Sequence, residues 1–215
     1  MPRDVKRRQK ALRRKEAKRK QKRKSQAVKM RLSPHHLLRV AAGWPLHECL
    51  VTQGWQDEGQ IVQILVARRS PSGEVATGTF LVDLDCLGVK CAFASLFGSV
   101  REYERKLRER VLQNQTMVPA DLNLVAKIIR EGIAYASQLG FAPDPDYRDA
   151  AILLRDADSQ ACDVEVPLGG EDGKPFFISG PFDDVPRIIA RLEKKLGPDG
   201  FRCLIHLGDP GDSFD

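Results

Sequence analysis

Residues 61–87 read IVQILVARRSPSGEVATGTFLVDLDCL, and this stretch decides the fold class. Two runs rich in Val, Ile, Leu and Thr flank the tetrapeptide Ser70–Gly73. β-Branched residues suit strands, and a short connection with Pro and Gly between two such runs is typical of a hairpin. The stretch therefore predicts two antiparallel strands joined by a tight turn.

Outward from this hairpin, strands and helices follow without regular βαβ alternation. Apolar residues recur at helical spacing in VREYERKLRERVL (100–112) and again over 120–139. This order predicts an α+β fold, with a mixed, largely antiparallel sheet and packed helices, preceded by a disordered or helical basic N-terminal arm. Further helices are predicted from Pro34 to Gly43, over 147–154 and over 184–196, and further strands over 49–52, 163–168, 175–180 and 201–207. The segment GGEDGK (169–174) is predicted to be the turn of a hairpin between 163–168 and 175–180.

The 215-residue chain has a net charge of +6, and that charge is divided very unevenly. Residues 1–31 hold 16 basic and 2 acidic residues, a net charge of +14, while residues 32–215 have a net charge of −8. We therefore predict a basic arm over residues 1–32 and a single α+β domain over 33–215, with a sub-boundary near 155–162 as the alternative. A domain of this size can bury one sizeable core.

The arm is the strongest functional signal, because closely spaced Lys and Arg neutralise phosphates and release counterions. It contains no aromatic residue on which a base could stack, so we expect it to bind the phosphate backbone and to read little sequence. The alternatives are a solubilising tail or binding to an anionic membrane surface. The residues predicted to bind nucleic acid are Arg3, Lys6, Arg7, Arg8, Lys10, Arg13, Arg14, Lys15, Lys18, Arg19, Lys20, Lys22, Arg23 and Lys24.

RNA is favoured over DNA as the partner, and the ribosome is the favoured assembly. An acidic body would be repelled by a duplex lying along it, whereas an arm can enter a phosphate-rich cleft of a folded RNA. The sequence has no apolar run near the ~18 residues of a membrane span and no apolar segment behind the N-terminal charges, so a cytoplasmic protein without a membrane partner is expected. The preferred function is a non-enzymatic, RNA-associated protein.

Asp83 and Asp85 suggest a second function. Residues i and i+2 of a strand share a face, so both carboxylates could bind Mg²⁺ in a nuclease or other phosphoester hydrolase. Two further acidic ligands would be needed, for which Glu131 and Glu165 are the candidates. The structural interpretation is a strand with one solvated face, or aspartates that cap a nearby helix, and no catalytic residue is assigned under the preferred function.

Cofactor and metal motifs are not recognised in the sequence. The five cysteines and four histidines lack the paired spacing of a zinc site, and GGEDGK has neither the spacing nor the helix of a phosphate loop. No cofactor and no metal are therefore expected. A third hypothesis is a protein-interaction module whose acidic face binds a basic partner.

Four segments resemble a family of uncharacterised bacterial proteins: PLHECLV (45–51), FLVDLDCLGVK (80–90), LGFAPDPDY (139–147) and VPLGGEDGKPFFISGP (166–181). FLVDLDCLGVK is the most specific of the four. The resemblance covers most of residues 45–185 and lies outside the arm. It implies a bacterial cytosolic setting and no particular activity.

Overall fold

The computed structural model describes residues 18–19 and 33–205. Its main sheet has five strands in the spatial order β4-β3-β2-β1-β5, and every neighbouring pair is antiparallel. Helices pack on the sheet, so the fold is α+β as predicted. The strands are β1 (Leu46–Thr52), β2 (Ile61–Arg69), β3 (Val75–Asp83), β4 (Gly88–Phe97) and β5 (Met117–Pro119).

The predicted hairpin is confirmed as the β2–β3 pair. Its register runs from Ile61 opposite Asp83 to Arg69 opposite Val75. The turn is closed at Ser70, whose backbone N–H donates to the Glu74 carbonyl at 2.9 Å and whose Oγ accepts from the Glu74 N–H at 3.0 Å. Both strands are almost completely buried, because helices cover each face of the sheet.

The helices follow the predicted order. Ser33 caps the first of them, accepting from the His36 N–H at 3.2 Å, and Pro34 stands at its start. The α-helices are α1 (Pro34–Ala41), α2 (Val100–Tyr103), α3 (Glu109–Asn114), α4 (Leu122–Gln138), α5 (Tyr147–Ala150) and α6 (Val185–Leu196). A π-helical stretch, Glu104–Arg108, joins α2 to α3, and 3₁₀ turns occupy Ala151–Leu154 and Ser159–Ala161. None of the helices in the described part of the chain has the length and apolar character that a membrane span needs.

The two faces of the sheet bury separate apolar clusters, since successive strand side chains point to opposite faces. Helix α4 covers one face, where Ile128 and Ile129 pack with Ile64 and Phe80. The α2–α3 segment covers the other face, where Tyr103 and Val111 pack with Leu50, Leu65 and Ala67.

A small second sheet corrects one sequence prediction. Strand β6 (Phe176–Ile178) pairs in parallel with β7 (Arg202–Leu204), not with residues 163–168. The predicted strand 163–168 is wrong: these residues form no ladder, and Val166 instead packs in the α4 cluster. Alternating apolar residues require one buried side, and an extended segment lying against a helix provides it as well as a strand does.

The C-terminal strand is shorter than predicted. Of residues 201–207, the ladder includes Arg202–Leu204, and residues 206 and 207 lie outside the described part of the chain. Helix α6 begins after Asp184, which accepts from the Arg187 N–H at 3.3 Å, and ends at Gly197 with φ +79°. Both ends of α6 agree with the sequence prediction.

Candidate functional site

Asp83 stands at the end of β3, and the next four residues form the turn that leads into β4. One carboxylate oxygen of Asp83 accepts from the backbone N–H of Asp85 at 3.0 Å and from that of Cys86 at 2.9 Å. Because the strand ends at Asp83, the expectation that Asp83 and Asp85 project from one strand face is not met. Asp83 is buried and caps the turn, so it belongs neither to a solvated strand face nor to a helix cap, the two structural interpretations raised from the sequence.

Asp85 connects the same turn to the loop before β2 and to strand β6. Its carboxylate accepts from the Gly59 N–H at 2.6 Å, and its backbone carbonyl accepts from the Phe176 N–H at 3.0 Å. The neighbouring Leu84 carbonyl accepts from the Gly169 N–H at 3.1 Å. The turn therefore joins the main sheet to the loop before β2 and to the small second sheet.

Gly88 allows the turn to lie directly against α4. Its backbone φ angle is +67°, a value that residues with a side chain rarely adopt. A Cβ at this position would stand 2.8 Å from the Ala136 Cβ and 2.9 Å from the Gly132 carbonyl oxygen. Glycines at positions 88 and 132 thus set the close approach of the turn and the helix.

Burial controls the electrostatics of both aspartates. Removal from water raises the pKa of Asp83 to about 6, against the opposing effects of the Lys90 charge and of the backbone N–H groups of Cys86 and Leu87. Burial also raises the pKa of Asp85, opposed by the hydrogen bond from Gly59. Lys90 itself donates to Asp183 at 2.7 Å, so its charge is already paired.

The two further candidate ligands separate in space. Glu165 lines the same groove as Asp85, whereas Glu131 lies on α4, 3.9 Å from the Lys127 ammonium. Among residues 18–19 and 33–205, no three His, Cys, Asp or Glu side chains form a group that could hold a metal ion. The four carboxylates proposed for a nuclease therefore do not form one metal site.

The groove beside the turn has a volume of about 910 Å³ and a strongly acidic lining. Glu58 is partly neutralised there, because it forms an ion pair with Arg202 and accepts from the Glu171 N–H at 3.2 Å. Phosphate would be repelled from this groove, as it would from the GGEDGK turn at its rim. The carboxylates that line it belong to Asp57, Glu58, Asp85, Glu165 and Glu171.

Most of the arm lies outside the described residues. Of the fourteen residues predicted to bind nucleic acid, Lys18 and Arg19 are described, and both are helical and exposed. The other twelve (Arg3, Lys6, Arg7, Arg8, Lys10, Arg13, Arg14, Lys15, Lys20, Lys22, Arg23 and Lys24) fall on residues that the structure does not describe.

The sequence analysis missed a basic surface on the body. Helix α6 carries four basic residues and one acidic residue, Glu193, within twelve positions. Arg187, Lys194 and Lys195 are exposed, while Arg191 covers the Phe141 ring at 5.3 Å and donates to a backbone carbonyl. The segment PRIIARLEKKL contains this signal, but the net charge of the whole body conceals it.

Cys49 and His47 do not form a catalytic pair. Cys49 is buried, and desolvation raises its pKa to about 12, whereas His47 is exposed and its ring lies 6.2 Å from that of Tyr103. A thiol of such high pKa is a poor nucleophile, since the thiolate is the reactive form. Cys49 belongs to the apolar core.

Comparison of the chain with models of known protein families, with curated proteins and with solved structures found no match. The resemblance of residues 45–185 to a bacterial family therefore stays a prediction, and the functional argument rests on charge and geometry.

Proposed function

We propose that the protein is a non-enzymatic RNA-associated protein that binds phosphate backbone through its basic arm and carries an acidic α+β body. One observation carries the proposal: a net charge of +14 over residues 1–31 is joined to a net charge of −8 over the other 184 residues. Such a density of cations binds polyanions by releasing their counterions. The opposite charge of the body directs the binding to the arm.

The described body supports this division of labour. The groove beside the Asp83 turn is acidic, and phosphates cannot lie along it without repulsion. A continuous duplex in contact with the body would meet this surface, whereas a folded RNA can accept the arm in a cleft and leave the body outside. This geometry favours RNA over DNA, and a large folded RNA such as that of the ribosome over a short one.

Helix α1, the first element after the arm in the sequence, is fixed to the body. Helix α1 follows the arm directly, and its residues Leu38 and Ala41 are buried against Ala76 and Leu153. His35 of the same helix contacts Asp149 at 2.9 Å. An arm that leaves from an anchored helix restricts the body to the neighbourhood of the bound RNA, which is what a tether requires.

A structural role for Asp83 and Asp85 supports the non-enzymatic part of the proposal. Both carboxylates already accept backbone N–H groups that hold the turn together. Using them as metal ligands would compete with these bonds. The acidic pair is therefore explained by the fold.

Deletion of residues 1–31 tests the proposal. We expect the full chain to co-sediment with ribosomes or purified ribosomal RNA at moderate salt, and the truncated chain to remain in the supernatant. Nuclease treatment of the pellet should release the full chain, which would identify the partner as nucleic acid.

A chain lacking residues 206–215 is the matched control for truncation. This segment carries three aspartates and no basic residue, so its removal should leave co-sedimentation unchanged or slightly stronger. Unchanged co-sedimentation after loss of residues 1–31 would contradict the proposal.

A further inference from the structure

Strand β4 forms one edge of the main sheet, with β3 on one side and, among the described residues, no strand on the other. At its beginning this edge is covered, because the Asp144 N–H donates to the Val89 carbonyl at 3.0 Å. From Cys91 to Phe97, no backbone group of β4 bonds to any described residue outside β3. Seven residues thus present an open row of hydrogen-bonding groups, which another strand could satisfy.

The sequence of this open edge, CAFASLF, lacks the features that protect natural sheet edges. It contains no charged residue, no proline and no glycine. Phe93 is 36% exposed and Leu96 is 38% exposed, one on each face of the strand. An exposed, neutral and apolar edge of this length is a site for strand pairing.

Phe182 extends this surface at the start of the edge. It is 98% exposed, at the tip of a turn whose geometry is fixed by its neighbour Asp183. The Asp183 carboxylate accepts from the Gly180 N–H at 2.7 Å and from the Lys90 ammonium at 2.7 Å. Lys90 is the strand residue directly before the open edge, so this ion pair holds Phe182 beside it. Burial of a phenylalanine side chain is stabilising, and this ring is not buried by any described residue of the chain.

We propose that the edge of β4 from Cys91 to Phe97, together with Phe182, is a homodimer interface in which two copies of the chain pair their β4 strands antiparallel about a two-fold axis. The paired strands would join the two main sheets into one continuous sheet. The contact is isologous, because each copy supplies the same surface.

Three features select a second copy as the occupant. The open segment is neutral, so two identical segments can lie side by side without opposing like charges. Antiparallel pairing brings the Lys90 end of one strand, where Phe182 is held, beside the Leu96 end of the other, where apolar surface is exposed. The absence of any basic residue between 91 and 97 makes phosphate an unsuitable partner for this edge.

The opposite edge of the sheet offers no comparable surface. Strand β5 has three residues and ends at Pro119, which has no N–H to donate. The pairing is therefore specific to β4.

Sedimentation equilibrium of the full chain tests the proposal without RNA. High salt screens the charge of the arm and leaves the apolar pairing intact. We expect the mass to rise from 24.0 kDa towards twice that value across micromolar concentrations. The variants Phe93→Lys and Phe182→Ser should each weaken association about tenfold or more, because the first places two lysines at the paired edge and the second removes the apolar anchor.

Leu112→Lys is the matched control. Leu112 is 38% exposed, like Leu96, but it lies on α3 and away from the edge, so its replacement should leave association unchanged. A chain that stays at 24.0 kDa at every concentration, or a Phe93→Lys variant that associates as strongly as the wild type, overturns the proposal. The open edge would then be left to an extended segment of another protein.

Cross-linking keeps the proposal testable if Phe93→Lys fails to fold. Ala94 is the central residue of the open edge, and directly opposite residues of antiparallel strands have Cα atoms about 4.5–5.5 Å apart, within the range of a disulfide. With Cys91, Cys162 and Cys203 replaced by Ser, Ala94→Cys should give a disulfide-linked dimer under mild oxidation. Ser72→Cys, at the exposed hairpin turn, should not. A failure of Ala94→Cys and of its neighbours Phe93→Cys and Ser95→Cys to cross-link contradicts the strand pairing.

Discussion

At the scale of single residues, Asp83 has a structural role in the β3–β4 turn. Its carboxylate caps the turn from a buried position, and burial raises its pKa from the ordinary value of 3.8 to about 6. The folded state therefore binds the proton more tightly than the unfolded state. Between pH 3.8 and about 6, stability must fall as the pH rises, and above that range the loss is complete.

Asp83→Asn should remove this pH dependence. The amide oxygen can accept the same two N–H groups but does not ionise. Relative to Asp83→Asn, we expect the free energy of unfolding of the wild type to decrease by about 2 kcal/mol between pH 4 and pH 6. Urea unfolding of both proteins at a series of pH values measures this difference in the free energy of unfolding.

Asp83→Ala is the control for the turn itself. It leaves the N–H groups of Asp85 and Cys86 unbonded, at a cost of about 1–3 kcal/mol for each buried group. We expect it to be destabilising at every pH. An Asp83→Asn protein whose stability follows that of the wild type from pH 4 to pH 6 would contradict the structural role of the ionisable group.

At the scale of secondary-structure elements, α6 gives the acidic body one exposed basic face, and this face is where the body would contact an RNA that the arm has bound. Its exposed Arg187, Lys194 and Lys195 are accompanied by one glutamate. The α2–α3 segment also has exposed arginines, but Glu102, Glu104 and Glu109 lie among them, and Lys106 pairs with Glu102 at 2.6 Å. The α2–α3 segment has five cations and three glutamates, whereas α6 has four cations and one glutamate, so α6 carries the higher net positive charge.

Replacing Arg187, Lys194 and Lys195 by Gln should weaken RNA binding and make the slope of log affinity against log salt less negative by about 2. The matched control replaces Arg101, Arg105 and Arg110 by Gln, which changes the net charge equally, and its slope should change by less than about 1. Filter binding at several salt concentrations measures both. Equal effects of the two triple variants would show that total charge, and not α6, matters.

The α2–α3 segment illustrates a limit of reading an element from its sequence. Apolar spacing predicted one continuous helix over residues 100–112, but Glu104–Arg108 is π-helical. Tyr103 and Arg108, five positions apart, both bind Glu48 of β1. The i to i+5 geometry of a π-helix suits this pair, and a contact with a distant strand is not visible in the local pattern.

At the scale of the whole molecule, the division of charge makes a quantitative prediction about RNA binding. If about half of the sixteen cations in residues 1–31 touch phosphates, log affinity should fall with log salt at a slope of about −6. Filter binding of the full chain measures this slope. A slope near zero would contradict binding through the arm, since affinity would then come from uncharged contacts.

Much of the fold could be predicted because it depends on neighbours in sequence. Ser33 and Asp184 cap helices over one turn, and Ser70–Gly73 closes a hairpin between adjacent strands. The partner of Phe176–Ile178 could not be predicted, because that strand pairs with Arg202–Leu204 across the whole of α6. The sequence identified Asp83 and Asp85 as the residues of interest, but it did not predict how they are arranged. The turn after Asp83 is held by Gly59, Gly169 and Phe176, which are far from it in the chain.

The sequence by itself determined the β2–β3 hairpin, the ends of the helices and the separation of a basic arm from an acidic body. These properties follow from local propensity and from counting charges, which need no knowledge of distant contacts. Only the tertiary structure decided that Asp83 and Asp85 bind backbone groups, that α6 gathers exposed cations and that β4 is left as an open edge. Those outcomes depend on which elements pack together, and packing is decided by contacts between residues far apart in the chain.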